Sequence, residues 1–251
     1  MQSDRAKIEW LEFDLLEPYP HIVHGVFLRH GGVSQGACAS LNLGSDGASD
    51  TADHYKGNRE VVRKALDVPK LIFPHQTHGM NAIRVTSKNL DKTFQADALY
   101  TTEKNIALGV THADCQAAIF YDPVHEAVAV VHSGWRGLAQ NIYARTLEAM
   151  QRDIGTQPQN LIVCISPSLG PDHAEFKNYK QELPQDFWSY QVKPNYFDLW
   201  AIGKKLLSAC GVLDKNIELT EVCTYCNPKD YYSYRREKDT GRHGTVVALK
   251  G

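Results

Sequence analysis

The chain has 251 residues, of which 43% are hydrophobic and 22% are charged, and its formal net charge is −2. Its 27 lysine and arginine residues are balanced by 29 aspartate and glutamate residues, which excludes a generally basic binder of nucleic acid or of membrane surfaces. An aromatic content of 10% supplies apolar surface for a core and excludes a disordered chain. No apolar run approaches the roughly 20 residues that span a bilayer.

The first residues, MQSDRAKIEW, contain no continuous apolar segment of the kind found in secretion signals, so we expect a cytoplasmic protein. A chain of this length does not need disulfides for stability, so we expect the six cysteines to be reduced and most of them to be buried. No internal repeat, low-complexity tract or long linker divides the sequence. This organisation predicts one domain over residues 1–251.

The first part of the chain predicts one strand and one helix. Residues 22–28 form an apolar run that ends at the glycines of RHGGVSQG, which predicts a strand followed by a loop. Asp53 is the predicted cap of a helix that stops at Pro69. The apolar face of this helix is predicted to carry Val61, Val62, Ala65 and Leu66.

The middle and end of the chain alternate irregularly between strands and helices. Runs at residues 106–111, 117–121 and 127–132 predict three strands, and Asp122-Pro123 predicts an antiparallel hairpin between the last two. The motif SGWRG leads into one predicted helix that ends at Gly155. The remaining predicted elements are strands at 161–165 and 246–249 and a helix from Asp198 to Gly211. This order favours an α+β or mixed-sheet α/β fold.

Three residues near predicted strand ends, His78, Cys115 and His132, have side chains that ligate metals. Catalytic zinc sites use three protein ligands and keep a fourth position open, a count that two imidazoles and one thiolate satisfy. Separations of 37 and 17 residues are not a local metal-binding signature, however. From spacing alone, histidines with a structural or hydrogen-bonding role are therefore the more frequent outcome.

Two arginine-containing segments are compatible with anion binding. Arg136 in SGWRG precedes a predicted helix and could bind phosphate, although the same pattern describes a plain turn with a surface arginine. In CTYCNPKDYYSYRREKDTGRHG, tyrosines beside Arg236 and Arg242 suit a base or sugar next to a phosphate. The alternative for that segment is an edge strand with packed tyrosines and solvated arginines.

The pair Cys223-x-x-Cys226 is either half of a zinc site, a redox pair or neither, because no second C-x-x-C and no βαβ context accompanies it. The chain has no G-x-G-x-x-G, G-x-x-x-x-G-K-[ST], G-x-S-x-G or H-E-x-x-H motif. No two of its 11 histidines are separated by a single residue, which argues against a centre that couples several copper ions.

The segments RHGGVSQGACASLNLG, His78-Gly79, THADC, VVHSGWRG and YYSYRREKDTGR resemble the YfiH/YlmD family in order and spacing. This family was long labelled "laccase domain" or multicopper polyphenol oxidase and is now regarded as a group of purine nucleoside phosphorylases. The likeness extends from about His24 to Leu249. It implies an α/β (α+β) single domain, a mixed-sheet α/β/β/α sandwich related to the deamidase domain of cytotoxic necrotizing factor.

The resemblance also implies the site. One zinc ion, with copper less expected, is bound by the residues at the family positions of His78, Cys115 and His132, and Asp114 is a further candidate for ligand orientation or proton transfer. Because neighbours in a strand point to opposite faces, a structural role for Asp114 is equally compatible. The candidate phosphate and substrate ligands are Arg136, Arg236 and Arg242, followed by Arg29 and Ser34.

The activity implied is phosphorolysis of adenosine, inosine, guanosine and S-methyl-5′-thioadenosine, together with zinc-assisted deamination of adenosine. The expected partners are purine nucleosides and phosphate, with no nucleic acid and no membrane, and the expected state is a monomer or small homo-oligomer. Two alternatives remain, a peptidoglycan editing factor that acts on a misincorporated L-serine and a copper-dependent polyphenol oxidase. The sequence departs from the family pattern at Gln116-Ala117 and at Ser168, which leaves the substrate preference open.

Overall fold

The computed structural model describes residues 7–45 and 49–251. The strands are β1 (Trp10–Leu11), β2 (Ile22–Phe27), β3 (Lys70–Ile72), β4 (Ala82–Arg84), β5 (Ala98–Thr101), β6 (Ile106–His112), β7 (Gln116–Asp122), β8 (Ala127–Ser133), β9 (Ile162–Ile165), β10 (Gln191–Lys193), β11 (Tyr196–Phe197), β12 (Ile217–Leu219) and β13 (His243–Leu249). The α-helices are α1 (Ala52–Ala65), α2 (Trp135–Gln140), α3 (Ile142–Ile154), α4 (Tyr179–Glu182) and α5 (Leu199–Ala209).

Two mixed sheets pack face to face. One has five strands in the order β1-β2-β13-β6-β3, and the other has six in the order β12-β9-β7-β8-β5-β4. Alternate residues of each strand point to opposite faces, so Ile119 and Val130 fill the space between the sheets together with Leu108 and Val247 of the facing sheet. The strands β6, β7, β8 and β13 are buried along their whole length, which explains their nearly continuous apolar sequences.

Helices cover the outer faces of both sheets. Val62 and Leu66 of the α1 region pack with Ala107 and Val246 on the outer face of the five-stranded sheet. Residues of α2, α3 and α5 pack on the outer face of the six-stranded sheet around Phe120 and its neighbours. The layers are therefore α/β/β/α, and the predicted mixed-sheet sandwich is confirmed. Within the described residues, no helix combines the length and apolar composition needed to cross a membrane.

Most of the longer predicted elements are present with small shifts at their ends. The hairpin of β7 and β8 pairs Asp122 with Ala127 in antiparallel register, as predicted. The last strand, β13, begins at His243, three residues before the predicted start at 246. The helix α5 follows the predicted cap, where Asp198 accepts a hydrogen bond from the Ala201 backbone at 2.9 Å.

Two helix predictions were wrong in detail. Thr51, rather than Asp53, caps α1, because its extended backbone lets the side chain accept a hydrogen bond from the His54 backbone, and Asp53 lies in the first turn. The single helix predicted after SGWRG is two helices, α2 and α3, separated at Asn141. Asn141 has a left-handed backbone (φ 59°), and its side chain caps α3 by accepting from the Ala144 backbone.

All six cysteines are free thiols. The expectation that most of them are buried was wrong, because only Cys38 and Cys164 are buried and Cys226 is exposed. The remaining three, Cys115, Cys210 and Cys223, are partly exposed. Three of the four thiols that reach the surface, Cys115, Cys223 and Cys226, lie close to histidine side chains.

Candidate metal centre

The three residues with metal-ligating side chains converge at one end of the six-stranded sheet. One ligand atom from each of His78, Cys115 and His132 lies within 4.8 Å of the others. The register of the β7–β8 hairpin explains part of this proximity, because it pairs Ala117 with His132. Cys115 precedes β7 and therefore lies beside the end of β8, while His78 arrives from the loop between β3 and β4.

Gly134 allows the chain to pass close to the cysteine. A Cβ atom at this position would lie 2.9 Å from the Sγ of Cys115 and 3.3 Å from the Cδ2 of His78. Real Cβ atoms do not approach a sulfur so closely, so a larger residue would displace the ligands. The first glycine of SGWRG, Gly134, is therefore required for the geometry of this site.

Asp97 holds both histidines and was not identified in the sequence. Its carboxylate accepts a hydrogen bond from the His132 ring, Nδ1 to Oδ1, at 2.9 Å. It also accepts from the backbone amides of His78 at 3.0 Å and Gly79 at 2.7 Å. His78 has a positive φ of 55°, a conformation that this carboxylate stabilises through the amides. Because Asp97 accepts a hydrogen bond from the Nδ1–H group of His132, the Nε2 of this ring is left to act as a ligand.

The electrostatics favour charged groups despite their burial. Burial raises the pKa of the Cys115 thiol, but His132 and His78 outweigh it and bring the value down to about 6. Burial lowers the pKa of His132, but the Cys115 thiolate and Asp97 raise it to about 9. Without a metal, the site is therefore a thiolate paired with an imidazolium. A divalent cation would replace the imidazolium proton, which is the usual coupling between metal binding and proton release.

This group can hold one metal ion. Its donor set of one thiolate and two imidazoles suits zinc or another borderline ion and leaves a fourth position for water or substrate. Among the described residues, no group gathers the many imidazoles that a centre of several copper ions requires. The arrangement therefore supports a mononuclear site.

Two cavities meet at Cys115. The larger has a volume of about 470 Å³ and is bordered by all three candidate ligands and by the cationic side chains Arg59, Lys238 and Arg242. The smaller has a volume of about 210 Å³, and most of its lining is apolar. The large apolar side chains of its lining are Trp135, Leu138, Leu169, Phe176 and Leu199. Ala113, Cys115, Tyr234 and Lys238 border both cavities, so the cysteine of the candidate metal centre lies where a basic compartment meets an apolar compartment.

Of the predicted phosphate ligands, Arg242 is the one that borders the basic cavity. Its guanidinium also donates to the Thr240 carbonyl at 2.9 Å, which orients it. Arg136 is exposed on α2, where it stacks on Trp135 with its Cζ 4.2 Å from the ring centroid, and it does not border either cavity. The structure therefore brings Arg242, but not Arg136, beside the three ligands.

Three other predicted residues are occupied within the protein. Arg236 donates to the carbonyls of Thr224 at 2.8 Å and Tyr231 at 2.8 Å, so its guanidinium braces the C-terminal loop. Arg29 donates through Nε to the carbonyl of Ala39 at 3.1 Å and stacks on Tyr232. Ser34 is buried and donates to Asp50 at 2.6 Å. These contacts stabilise loops and place none of the three side chains in either cavity.

Asp114 borders the apolar cavity and anchors the C-terminal segment. It accepts hydrogen bonds from the Thr224 hydroxyl at 2.7 Å and the Arg235 backbone at 2.6 Å. Its backbone has a positive φ of 85°, so the residue is held in a turn beside Cys115. This position supports the structural role that the sequence left open.

Several residues of the site were not predicted from the sequence. Asp97 lies 35 residues before His132 and belongs to no motif, so no local signal reveals it. Arg59 lies on α1, which the sequence did not connect with the site. Lys238 lies inside the segment YRREKDTGR, where nothing in the sequence distinguishes it from the neighbouring arginines.

Fold and site define a class of protein, a two-sheet α/β sandwich with a cysteine and two histidines at the meeting point of two cavities. Residues 23–250 match the sequence profile described as "Multi-copper polyphenol oxidoreductase laccase", and the chain belongs to this family. The family predicted from the sequence motifs, YfiH/YlmD, is confirmed by relatives of the same names. The copper in the family's description contrasts with the single three-ligand group at this site.

Relatives and solved structures match over most of the chain. The chain is 29% identical over 245 residues to a purine nucleoside phosphorylase of Bacteroides thetaiotaomicron, with 90% of each chain covered. It is 29% identical to the purine nucleoside phosphorylase YlmD of Bacillus subtilis, with 91% of this chain and 89% of the relative covered. The crystal structure of YlmD from Geobacillus stearothermophilus superposes with a TM-score of 0.87 at 27% identity, covering 100% of this chain and 98% of that one.

Proposed function

We propose that the protein is a purine nucleoside phosphorylase whose zinc ion is held by His78, Cys115 and His132. The observation that carries this proposal is that all three ligands border a basic cavity, which meets an apolar cavity at Cys115. A phosphorolysis site must hold an anion beside a largely apolar purine, and the two compartments meet this need. The names of the relatives support the same reaction.

In phosphorolysis, a phosphate oxygen forms a bond to the ribose C1′ while the bond from C1′ to the purine nitrogen breaks. The purine leaves with the bonding electron pair and gains a proton, so the products are ribose 1-phosphate and the free purine, and the transition state has positive charge on the sugar. Arg242 and Lys238 would hold the phosphate in the basic cavity, since guanidinium and ammonium groups both pair with phosphate oxygens. Correct positioning of the two reactants is a large part of the rate enhancement.

The apolar cavity would hold the purine. Trp135 and Phe176 supply aromatic surface, and stacking of a base on an aromatic ring depends little on which base is stacked. This tolerance fits the proposed range of adenosine, inosine, guanosine and S-methyl-5′-thioadenosine. A bound zinc ion supplies Lewis acidity, which the proposed deamination of adenosine at C6 also requires.

The decisive experiment compares inosine turnover with and without phosphate. We expect hypoxanthine and ribose 1-phosphate to form only when phosphate is present. Cys115→Ala should lose both metal and activity while keeping the fold, and Cys210→Ala is the matched control because this thiol lies at the end of α5. Equal hypoxanthine release without phosphate would show a hydrolase instead. Retained zinc in Cys115→Ala would reject the ligand assignment.

Variants of the basic cavity test where phosphate binds. Lys238→Ala should raise the KM for phosphate by about tenfold or more, because hydrogen bonds to charged groups contribute about 1.5–3 kcal/mol. Because Lys238 also borders the apolar cavity, the KM for inosine is measured in the same variant, and its change should be smaller than that of the KM for phosphate. Lys204→Ala, which alters an exposed lysine on α5, is the control. An unchanged phosphate KM in Lys238→Ala would place the anion elsewhere.

A second candidate function rests on the Cys115 thiol. The pKa of this thiol is about 6, and the thiol lies beside an imidazole. Nucleophilic hydrolases use the same arrangement. Such chemistry would suit an amidase acting on a cell-wall precursor. Release of serine from a UDP-linked muropeptide, without turnover of any nucleoside, would select this function over phosphorolysis.

A further inference from the structure

A second group of metal-ligating side chains lies outside the candidate metal centre. One ligand atom from each of His173, Cys223 and Cys226 lies within 4.8 Å of the others. The C-x-x-C pair was left unassigned by the sequence because no further ligands accompanied it. The fold supplies the third ligand from a loop 50 residues upstream of Cys223.

The spacing of these atoms matches that of ligands around one zinc ion. The Nδ1 of His173 lies 3.5 Å from the Sγ of Cys226 and 3.9 Å from the Sγ of Cys223. A nitrogen about 2.0 Å and a sulfur about 2.3 Å from a tetrahedral zinc ion are about 3.5 Å apart. The two measured distances therefore require little or no movement to accept the ion.

Backbone contacts hold the two loops of this group together. The Ser168 amide donates to the Val222 carbonyl at 3.1 Å, and the Thr224 amide donates to the Ser168 carbonyl at 3.0 Å. The His173 ring stacks on Tyr225, with 3.9 Å between the ring centroids. These contacts orient the imidazole and fix the turn that carries the thiols, so the ligands do not depend on long, mobile side chains.

The Cys223 sulfur also receives a hydrogen bond suited to a thiolate. The Gly170 amide lies 3.3 Å from this Sγ and points toward it. A Cβ at Gly170 would lie 3.1 Å from the same sulfur, so the glycine permits the close approach. Amide hydrogen bonds to sulfur accompany metal-bound thiolates in proteins.

We propose that His173, Cys223 and Cys226 form a second metal site that binds a zinc ion through one imidazole and two thiolates. Two thiolates and an imidazole select a soft or borderline ion over magnesium or calcium. Cys226 is exposed, so water can occupy the fourth position. On binding, the two thiol protons leave to solvent and no redox change occurs. The site shares no ligand with the first centre.

A structural consequence follows from the position of Thr224 between the two cysteines. Its hydroxyl donates to Asp114, which adjoins Cys115 of the first centre. The Arg236 guanidinium binds the Thr224 and Tyr225 carbonyls at 2.8 and 2.9 Å. A metal ion at the second site would therefore brace the turn at Thr224, which anchors Asp114 at the border of the apolar cavity.

Metal content tests the proposal without an activity measurement. The full-length protein is reduced, loaded with Zn²⁺, passed through a desalting column and analysed for zinc per chain. We expect two zinc ions in the wild type, one in Cys226→Ser, one in Cys115→Ala and two in the control Cys210→Ser. If the second site does not bind zinc, the wild type and Cys226→Ser should both hold one zinc ion and Cys115→Ala none. If the first centre does not bind zinc, the wild type and Cys115→Ala should both hold one zinc ion and Cys226→Ser none.

Two further measurements keep the result decisive if a variant folds poorly. Co²⁺ bound to Cys115→Ala should show thiolate-to-cobalt charge-transfer absorption from the second site. Zn²⁺ should also protect Cys223 and Cys226 of the wild type from alkylation, as mapped by mass spectrometry. One zinc per wild-type chain, with no protection of these thiols, would overturn the proposal. So would a Cys223–Cys226 disulfide that persists in reductant.

Discussion

Asp97 shows how one buried side chain can control two ligands that are far apart in the sequence. Its carboxylate binds the ring of His132 directly and positions His78 through the backbone amides of residues 77–79. Burial raises the pKa of this carboxyl, but the His132 ring and the amides of Gly79 and Thr77 outweigh it, so the group stays ionised. A negative charge in this position makes the imidazole a stronger ligand.

Asp97→Asn should weaken zinc binding by about 10- to 100-fold, the usual effect of removing a carboxylate that holds a metal-bound histidine. The amide lacks the negative charge of the carboxylate. Its NH₂ group can also donate a hydrogen bond to Nδ1 of His132, which favours the tautomer with its proton on Nε2, the atom that should bind the metal. Chelator competition measures the affinity, with circular dichroism to check the fold. The control Asp186→Asn removes an exposed carboxylate. Equal affinity in Asp97→Asn and wild type would contradict this role.

The Cys115 thiol provides a pH-dependent prediction for the metal-free protein. Because its pKa is about 6, the thiolate predominates above pH 6, and alkylation by iodoacetamide should reach half its maximal rate near that pH. Cys210 in the same molecule is the internal control, because burial raises its pKa above the ordinary value. Peptide mass spectrometry follows both sites. A Cys115 rate that rises only above pH 8 would refute the thiolate–imidazolium pair.

At the scale of single elements, the break at Asn141 divides the segment after SGWRG into α2 and α3, which pack on the same sheet. Both helices contribute buried residues to one cluster, including Leu138 and Ile142 on either side of the break. The hydrophobic period continues through the break, so the pattern alone describes one helix. Asparagine at this position satisfies both the left-handed backbone and the cap of α3.

The strands β6 and β13 carry two buried histidines directly opposite each other. His112 and His243 are paired in register, with 5.5 Å between their ring centroids. Burial lowers the pKa of His243 to about 4, and burial together with His243 lowers that of His112. The His243 imidazole therefore remains neutral in the folded protein at pH 5, where histidines of the unfolded chain are protonated.

These strands should make the protein sensitive to acid. The folded pKa of His243 lies below its unfolded value of about 6.5, so stability is fully present above pH 6.5 and falls as the pH drops toward 4. From pH 7 to pH 5, His243 alone should lower the free energy of unfolding by about 2 kcal/mol. Urea unfolding of His243→Gln should show a weaker pH dependence of the free energy of unfolding than that of the wild type. An unaltered slope in His243→Gln would disprove this assignment.

At the scale of the whole molecule, the C-terminal strand is central to one sheet. β13 lies between β2 and β6, pairs with both in antiparallel register, and joins β1 and β2 to the rest of the five-stranded sheet. It also packs against the six-stranded sheet through Val247 and Leu249. The last residues of the chain therefore complete both a sheet and the core between the sheets.

A chain that ends at Arg242 should not fold, because β2 and β6 would each lose a partner and the core would lose four buried apolar residues. The lost residues are Val246, Val247, Ala248 and Leu249, and each buried valine or leucine side chain contributes about 1.5–3 kcal/mol. Circular dichroism and gel filtration provide the measurement. Removal of Gly251 alone, which costs one hydrogen bond to Asn105, is the control and should leave the fold intact. A cooperatively folded truncated chain would contradict the central role of β13.

The sequence by itself determined the long strands buried on both faces, because their uninterrupted apolar runs need covering layers on each side. It also determined the residue types of the candidate metal ligands. The family was identified from motifs that occur in this chain in the same order and spacing as in the family. Short strands such as β3, β4 and β12 carry only three residues each and escaped prediction. Their pairing depends on neighbours that are distant in the sequence.

Only the tertiary structure decided which polar side chains work together. Arg236 and Arg242 look alike in the sequence, yet one binds carbonyls of its own loop and the other borders the basic cavity. His173 joins Cys223 and Cys226 across 50 residues, and Asp97 joins His132 across 35. The reason is physical, since a hydrogen bond or a metal bond requires atoms within a few ångströms, and strand pairing, not separation along the chain, sets those distances.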